Sequence, residues 1–139
     1  MNTPNTVKCL LGMLGTDVHS KGIRTLARIL DDAGGVEVVY IGEHNSVDGM
    51  AEAVRESGAA IVGVSFSSSA YVEYTRRLIA AMHSAGVGHV PVMIGGMVHP
   101  DDVAELKEIG VARIFGAGST TADIVAWVQS AGQPDAPAA

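Results

Sequence analysis

The chain has 139 residues, of which 47% are hydrophobic and 17% charged, a composition that excludes a disordered protein and fits one compact domain. A formal net charge of -6 with nine lysines and arginines disfavours nucleic acid as a partner, because that affinity depends on neutralising phosphates. The single cysteine, Cys9, excludes an internal disulfide and a multi-thiolate zinc site within the chain. Apolar runs fall far short of the roughly 18 residues of a membrane span, and no secretory signal is visible, so we expect no membrane association and a cytoplasmic location.

Short segments rich in valine and isoleucine alternate with longer segments of helical period, which is the pattern of βαβ units. Nearly continuous apolar strands are typical of a parallel sheet that is covered on both faces. We therefore predict a flavodoxin-like, doubly wound α/β domain over residues 7–131, with a five-stranded parallel sheet in the order 2-1-3-4-5 and flexible ends at 1–6 and 132–139. In chain order, strands and helices are predicted alternately at 7–13, 22–33, 36–41, 46–57, 59–65, 71–85, 90–94, 100–109, 113–115 and 121–130.

The ends of the predicted helices carry residues with clear roles. Gly34 and Gly35 can supply the left-handed cap that ends the first helix, and Gly110 can end the fourth. Ser46 can cap the second helix, and Pro100 suits the first turn of the fourth because its missing N–H is not needed there. These signals place the functional loops between the strands and the helices that follow them.

The loop after the first strand contains Asp17 and His19, separated by one residue. In this fold, ligands bind beyond the carboxyl ends of the strands, near the switch point between strands 1 and 3. An imidazole that donates one nitrogen to a carboxylate is held in one tautomer, and its other nitrogen becomes a better metal ligand or base. The spacing therefore predicts a metal ligand with its orienting carboxylate, and the alternative is a loop histidine beside a solvated aspartate.

Three further loops offer small or hydroxylated residues at the same edge. Ser65 and Ser67 follow the third strand, where a phosphoacceptor domain would need an aspartate. Gly95 and Gly96 follow the fourth strand and either admit a flat group against the backbone or form a tight turn. The last loop leads into a helix whose N-terminus can bind a phosphate or carbonyl oxygen, or can simply be capped. Its candidate residues are Gly116, Gly118, Ser119 and Thr120.

Several competing ligand sites are excluded by their missing motifs. The first loop is not GxGxxG, and the chain has no P-loop, no helical HxxxH pair and no GxSxG elbow. Cys9 lies within the first predicted strand and is expected to be an inert core residue. The remaining histidines, His44, His83, His89 and His99, are expected to be surface residues.

The segment from Asp17 to Gly22 matches the pattern D-x-H-x-x-G, and Ser65 and the pair Gly95 and Gly96 follow it at fitting distances. In this order the three motifs resemble the cobalamin-binding domain of adenosylcobalamin-dependent mutases, over residues 7–130. The resemblance implies that adenosylcobalamin is the cofactor and that its own base is displaced from cobalt. It also implies a slot for the displaced nucleotide tail beside the sheet.

The same resemblance implies roles for individual residues. His19 would be the lower axial ligand of cobalt, and Asp17 would hold its other imidazole nitrogen. Ser65 would lie near the base of the nucleotide slot, while Gly95 and Gly96 would make room for the tail. The full set of expected cofactor-binding residues is Asp17, His19, Ser20, Lys21, Gly22, Ser65, Ser67, Gly95, Gly96, Gly116, Gly118, Ser119 and Thr120.

Two departures from the family pattern concern the substrate more than the cofactor. Ser67 occupies the leucine position of S-x-L, and Ser20 with Lys21 replaces the Asp-Arg pair common in acyl-CoA mutases. The segment that runs directly from Gly96 into a helix resembles the small subunits of isobutyryl-CoA and hydroxyisobutyryl-CoA mutases. The resemblance therefore implies that this chain is the small subunit of a carbon-skeleton mutase, which is an isomerase. Without a large catalytic subunit, the chain is expected to be inactive.

The resemblance also implies a large catalytic subunit as partner, which would hold the acyl-CoA substrate in a TIM barrel. Such a barrel needs about 250 residues, more than this sequence contains. One alternative is a corrinoid carrier protein for methyl transfer, but carriers have a helical cap before the first strand and only six or seven residues precede it here. Another is a non-catalytic cobalamin sensor or storage module, which shares every motif.

Overall fold

The alternating aliphatic and helical segments fold into a parallel sheet with helices on both faces. A computed structural model describes residues 6–15, 21–67, 69–116 and 119–131. The strand order is β2-β1-β3-β4-β5, and every pairing is parallel, so the predicted flavodoxin-like fold is confirmed. The predicted flexible ends lie outside the described residues, apart from Thr6. The elements are β1 (Val7–Leu14), α1 (Lys21–Ala33), β2 (Val36–Asn45), α2 (Val47–Ser57), β3 (Ile61–Phe66), α3 (Tyr71–Ser84), β4 (Val92–Gly96), a 3₁₀ turn (Pro100–Asp102), α4 (Val103–Ile109), β5 (Arg113–Phe115) and α5 (Thr121–Ala131).

The core consists of two aliphatic layers, one on each face of the sheet. Successive residues of a strand point to opposite faces, so Leu10 joins the layer under α2, α3 and α4 while Leu11 joins the layer under α1 and α5. Both leucines are completely buried. The layer under α1 and α5 is the one that contains small residues near the carboxyl ends of the strands, and this is where the candidate site lies.

The observed helix ends follow the chemistry predicted for them. The Ser46 hydroxyl accepts a hydrogen bond from the N–H of Gly49 at 2.9 Å and so caps α2. Gly34 and Gly35 follow α1 with φ of 83° and 73°, in the left-handed region that favours glycine. Pro100 lies at the first helical position, as predicted, but the first turn, Pro100–Asp102, is a 3₁₀ turn and α4 begins at Val103.

Strand β2 extends beyond its predicted end at residue 41. Between Leu11 and Leu14, β1 advances three positions while β2 advances five, from Tyr40 to Asn45, so β2 carries two extra residues. Such bulges bend a strand and interrupt its regular ladder. The sequence of this segment, Gly-Glu-His-Asn, looks like a loop, and for that reason its pairing with β1 was not predicted.

The helices of the described part are short, from 7 residues in α4 to 14 in α3. These lengths suit the crossover connections that parallel strands require. None of these helices is both long enough and apolar enough to cross a membrane.

Candidate functional site

A cavity of about 250 Å³ lies between the sheet and helices α1 and α5, near the carboxyl ends of the strands. Small residues of the sheet, Ser65, Gly95 and Gly96, form part of its lining. Its floor is formed by β1, β3, β4 and β5, and its walls by α1 and α5. The lining residues are Leu11, Gly22, Ile23, Thr25, Leu26, Ile29, Gly63, Val64, Ser65, Met93, Ile94, Gly95, Gly96, Phe115, Thr121 and Ile124.

Two glycines lie in the floor, Gly63 on β3 and Gly95 on β4. Gly63 lies between Leu11 and Met93, and a Cβ at Gly63 would come within 2.6 Å of Leu11 Cδ2 and 2.7 Å of Met93 Cε. Gly95 lies beside Ser65 and Phe115, and a Cβ there would lie 3.1 Å from the Phe115 carbonyl oxygen. Glycine inside a strand often marks a place where a ligand approaches the backbone closely. The Leu11 and Met93 side chains therefore cover Gly63, whereas Gly95 leaves the floor open at its own position.

Gly96 is required by the backbone itself. Its φ is 103°, and a Cβ would lie 2.1 Å from the carbonyl oxygen of Phe66. That oxygen also accepts a hydrogen bond from the N–H of Met97 at 2.9 Å. Gly95 and Gly96 are the last two residues of β4 rather than the start of a loop, because they continue its pairing with β3. The predicted strand end at residue 94 was therefore too early.

The helical walls are mostly apolar. Ile23, Leu26 and Ile29 face the cavity from α1, and Ile124 faces it from α5. A Cβ at Gly22 would meet no atom within 4 Å, so this end of α1 leaves the cavity open. Polar groups are few, which favours an uncharged ligand surface.

The last loop carries a helix cap. Thr120 and Asp123 form a reciprocal capping box, in which each backbone N–H donates to the other side chain, at 3.2 Å and 3.1 Å. The Thr120 hydroxyl therefore caps α5. Capping was the alternative to ligand binding that the sequence left open for this loop. Ser119 is exposed, and its N–H donates to the Gly116 carbonyl at 3.1 Å.

The predicted site residues divide into three groups. Gly22, Ser65, Gly95 and Gly96 line the cavity. A second group flanks the same carboxyl edge without lining it: Lys21, Ser67, Gly116, Ser119 and Thr120. A third group lies outside the described residues: Asp17, His19, Ser20 and Gly118.

Sequence reasoning missed Gly63 and the apolar walls of the cavity. A signal for Gly63 was present, because glycine is unusual inside an apolar strand. The wall residues of α1 and α5 carried no signal of their own, since apolar residues at helical spacing are equally expected in a core.

Comparison with known proteins identifies this architecture. The profile of the B12 binding domain matches residues 7–126. The chain belongs to the B12-binding domain family. The predicted recognition and the predicted cobalamin cofactor are therefore confirmed.

Relatives of this B12-binding domain include small subunits of mutases. The chain is 32% identical over 127 residues to the pivalyl-CoA mutase small subunit of Xanthobacter autotrophicus, covering 91% of this chain and 84% of the relative. It is 27% identical over 109 residues to the 2-hydroxyisobutanoyl-CoA mutase small subunit of Aquincola tertiaricarbonis, covering 78% and 79%. It is also 32% identical over 101 residues to a fused isobutyryl-CoA mutase of Cupriavidus metallidurans, covering 71% of this chain but only 9% of that protein.

A solved structure shares the fold of this B12-binding domain. A cobalamin-binding protein from Desulfitobacterium hafniense superposes with a TM-score of 0.76 at 24% identity, covering 91% of this chain and 59% of that chain. This likeness supports the order of strands and helices described above.

A buried tyrosine fixes the loop that follows the two glycines of β4. The hydroxyl of Tyr71, at the start of α3, accepts a hydrogen bond from the His99 N–H at 2.9 Å and donates one to the Asp102 carboxylate. The bond to Asp102 raises the pKa of Tyr71 above its ordinary value of 10.0. The B12-binding domain thus holds the segment beyond Gly96 against α3.

Replacing Tyr71 by phenylalanine is expected to lower the melting temperature by about 3 to 6 °C, because the His99 N–H and Asp102 lose their partner while the ring remains. The raised pKa implies that this stabilisation persists below pH 10.0 and is lost as the pH rises further. Thermal unfolding at several pH values would measure both effects, with Tyr40→Phe on the exposed edge strand as control. Equal melting temperatures for the wild type and Tyr71→Phe would contradict the prediction.

The other residues considered for chemistry are accounted for. Cys9 is fully buried in β1, and burial raises the pKa of its thiol to about 12, so it is an inert core residue as predicted. The histidines expected at the surface are all exposed: His44, His83, His89 and His99.

Proposed function

We propose that this chain is the cobalamin-carrying small subunit of an adenosylcobalamin-dependent acyl-CoA mutase. The observation that carries the proposal is the glycine-floored cavity at the carboxyl edge of a B12-binding domain. Two relatives that are named small subunits support this assignment. Each match covers most of this chain and most of the relative.

We infer that the nucleotide tail of cobalamin occupies the cavity. Its volume of about 250 Å³ is below the roughly 300–1,000 Å³ of pockets for whole drug-sized ligands, which suits one part of a larger cofactor. Gly95 leaves its part of the floor clear for a flat aromatic base, and a side chain at that position would crowd it. The Ser65 hydroxyl is the polar side-chain group available on that floor.

Asp17 and His19 complete the proposed site from the segment that follows β1. In this proposal His19 is the lower axial ligand of cobalt, and Asp17 accepts a hydrogen bond from its other imidazole nitrogen. That hydrogen bond fixes the tautomer and the ring orientation, as carboxylates do for metal-bound histidines. Ser20, Lys21 and Gly22 follow His19 in the sequence, and of these Gly22 lines the cavity. When bound, adenosylcobalamin supplies the radical chemistry of carbon-skeleton rearrangement, and the protein supplies position.

A large catalytic subunit is the proposed partner, holding the acyl-CoA substrate in a TIM barrel. In the fused isobutyryl-CoA mutase, the region that matches this chain makes up 9% of the polypeptide. The pivalyl-CoA and 2-hydroxyisobutanoyl-CoA enzymes instead have separately named small subunits. This contrast supports a division of labour between a cofactor carrier and a substrate-binding chain.

The experiment is to purify this chain alone and together with a large mutase subunit. We expect the chain alone to bind adenosylcobalamin without turning over isobutyryl-CoA or 2-hydroxyisobutyryl-CoA, and the complex to be active. Adenosylcobalamin should also tighten the complex, because a ligand that contacts both chains couples their binding reciprocally. Isomerase activity from this chain alone would contradict the proposal, and methyl transfer to a thiol with a methyltransferase would support the corrinoid carrier instead.

A further inference from the structure

Two rows of residues run across the sheet beneath the cavity. The outer row lies at the carboxyl ends of the strands and contains Ser65, Gly95 and Phe115. The inner row lies two residues deeper along the strands and contains Leu11, Gly63 and Met93. Alternate residues of a strand point to the same face, so both rows lie under α1 and α5, and about 7 Å separates them.

The inner row is the closed end of the cavity. Two residues deeper again, Cys9 pairs with Ile61, and both are completely buried in the core. In this kind of sheet, ligands bind from the carboxyl edge, so an entering group passes the outer row first and reaches the inner row last. The side chains of the inner row therefore set how far such a group can extend.

The Met93 side chain covers the middle of this closed end. Met93 belongs to β4, but its Cε lies beside Gly63 of β3, only 2.7 Å from the place that a Cβ of Gly63 would take. Leu11 Cδ2 approaches the same place from β1, at 2.6 Å. The absence of a side chain at Gly63 thus lets Met93 reach across the neighbouring strand, where it lines the cavity while only 3% exposed.

A methionine at this end of the cavity suits a flat aromatic ligand. The side chain is unbranched, so it adapts to the shape of its surroundings, and its sulfur makes favourable contacts with the edges of aromatic rings. Its last atoms also determine the length of the cavity, because Sδ and Cε lie furthest from the β4 backbone. A shorter side chain at position 93 would extend the cavity over Gly63.

We propose that Met93 is a specificity-determining residue for the base of the nucleotide tail. The inference rests on the proposed function, in which that tail occupies the cavity. The base is the terminal group of the tail, so a tail that enters from the carboxyl edge brings its base to Met93. An apolar pocket that is short by one small group discriminates roughly 10-fold to 200-fold against the longer ligand. Met93 therefore admits dimethylbenzimidazole, the base of cobalamin, and rejects a longer one.

The test measures the binding of three corrinoids by absorbance titration. The first is cobalamin, and the second is its analogue with a naphthimidazole base, in which a fused ring replaces the two methyl groups and lengthens the base. The third is cobinamide, which has no nucleotide tail. Because the same three ligands are compared in every protein, differences between the free corrinoids cancel.

Three variants are compared with the wild type. Met93→Ala removes Cγ, Sδ and Cε from the closed end of the cavity. Met93→Leu keeps the side-chain volume nearly constant but reaches less far from the backbone, so it serves even if the alanine variant does not fold. Met82→Ala is the matched control, because it removes the same atoms from a methionine that is 1% exposed in the aliphatic layer on the other face of the sheet.

The wild type is expected to bind cobalamin at least ~10-fold more tightly than the naphthimidazole analogue. This preference should shrink ~10-fold in Met93→Ala and by less in Met93→Leu, and it should be unchanged in Met82→Ala. Cobinamide should bind all folded proteins alike. A general loss of stability would weaken all three ligands together, in Met82→Ala as well as in Met93→Ala.

Two results would overturn the proposal in different ways. If the wild type favours cobalamin over cobinamide, but the Met93 variants keep its preference between the two bases, the role of Met93 is wrong and the tail still occupies the cavity. If the wild type binds cobinamide as tightly as cobalamin, the placement of the tail in the cavity is wrong, and the role of Met93 falls with it.

Discussion

Gly95→Val is expected to weaken the binding of complete cobalamin ~10-fold to 100-fold, the equivalent of about 1.4 to 2.8 kcal/mol. The branched side chain would rise from the cavity floor beside Ser65 and Phe115, where even a Cβ lies 3.1 Å from a backbone oxygen. Cobinamide, which lacks the nucleotide tail, should bind nearly as well as it does to the wild type. Titration of both ligands, followed by absorbance, would measure the difference.

Gly96→Val is the matched control for this experiment. Gly96 has a φ of 103°, and a Cβ there would lie 2.1 Å from the Phe66 carbonyl oxygen. The substitution should therefore destabilise the fold and weaken both ligands alike. A loss of the same size for cobalamin and cobinamide in Gly95→Val would show that this variant, too, acts through the backbone and not by filling the slot.

His19→Ala is expected to abolish the nitrogen-15 histidine coupling in the spectrum of bound cob(II)alamin. The reason is that the proposed lower ligand is a side-chain nitrogen, and alanine offers none. Asp17→Asn should keep the coupling but weaken affinity ~10-fold to 100-fold, because the amide cannot hold the imidazole as the carboxylate does. Electron paramagnetic resonance and equilibrium titration of the same samples would test both expectations.

His44→Ala provides the control for the histidine label. His44 is exposed on β2 and is not one of the proposed cobalt ligands. Its removal should leave the coupling unchanged. Coupling that survives His19→Ala, or that comes from the cofactor's own base in the wild type, would rule out His19 as the lower ligand.

Most of the fold could be predicted because its signals are local. Runs such as residues 7–13 and 59–65 are apolar enough to be buried on both faces, and the helix ends carry capping residues such as Ser46. Right-handed crossovers place the loops along one edge of the sheet, and the order 2-1-3-4-5 is the prediction for a flavodoxin-like fold. The sheet order and the caps at Ser46, Gly34 and Gly35 are accordingly confirmed.

The parts that could not be predicted depend on contacts between distant residues. The extension of β2 is stabilised by Asn45 reaching Met13 on another strand, and nothing in the local sequence distinguishes this from a turn. The pairing of Gly95 and Gly96 with β3 is likewise decided by Ser65 and Phe66. The cavity forms only when the sheet packs against α1 and α5, two helices that are far apart in the sequence.

The two outer strands of the sheet, β2 and β5, also affect how readily this protein aggregates. An outer strand exposes unpaired backbone groups that can recruit a second sheet, which is a common route to aggregation. Here one border, β2, is bent by its two extra residues, and the other, β5, is only three residues long and begins with Arg113. Neither offers a long flat template, so the domain is protected against joining its own copies edge to edge.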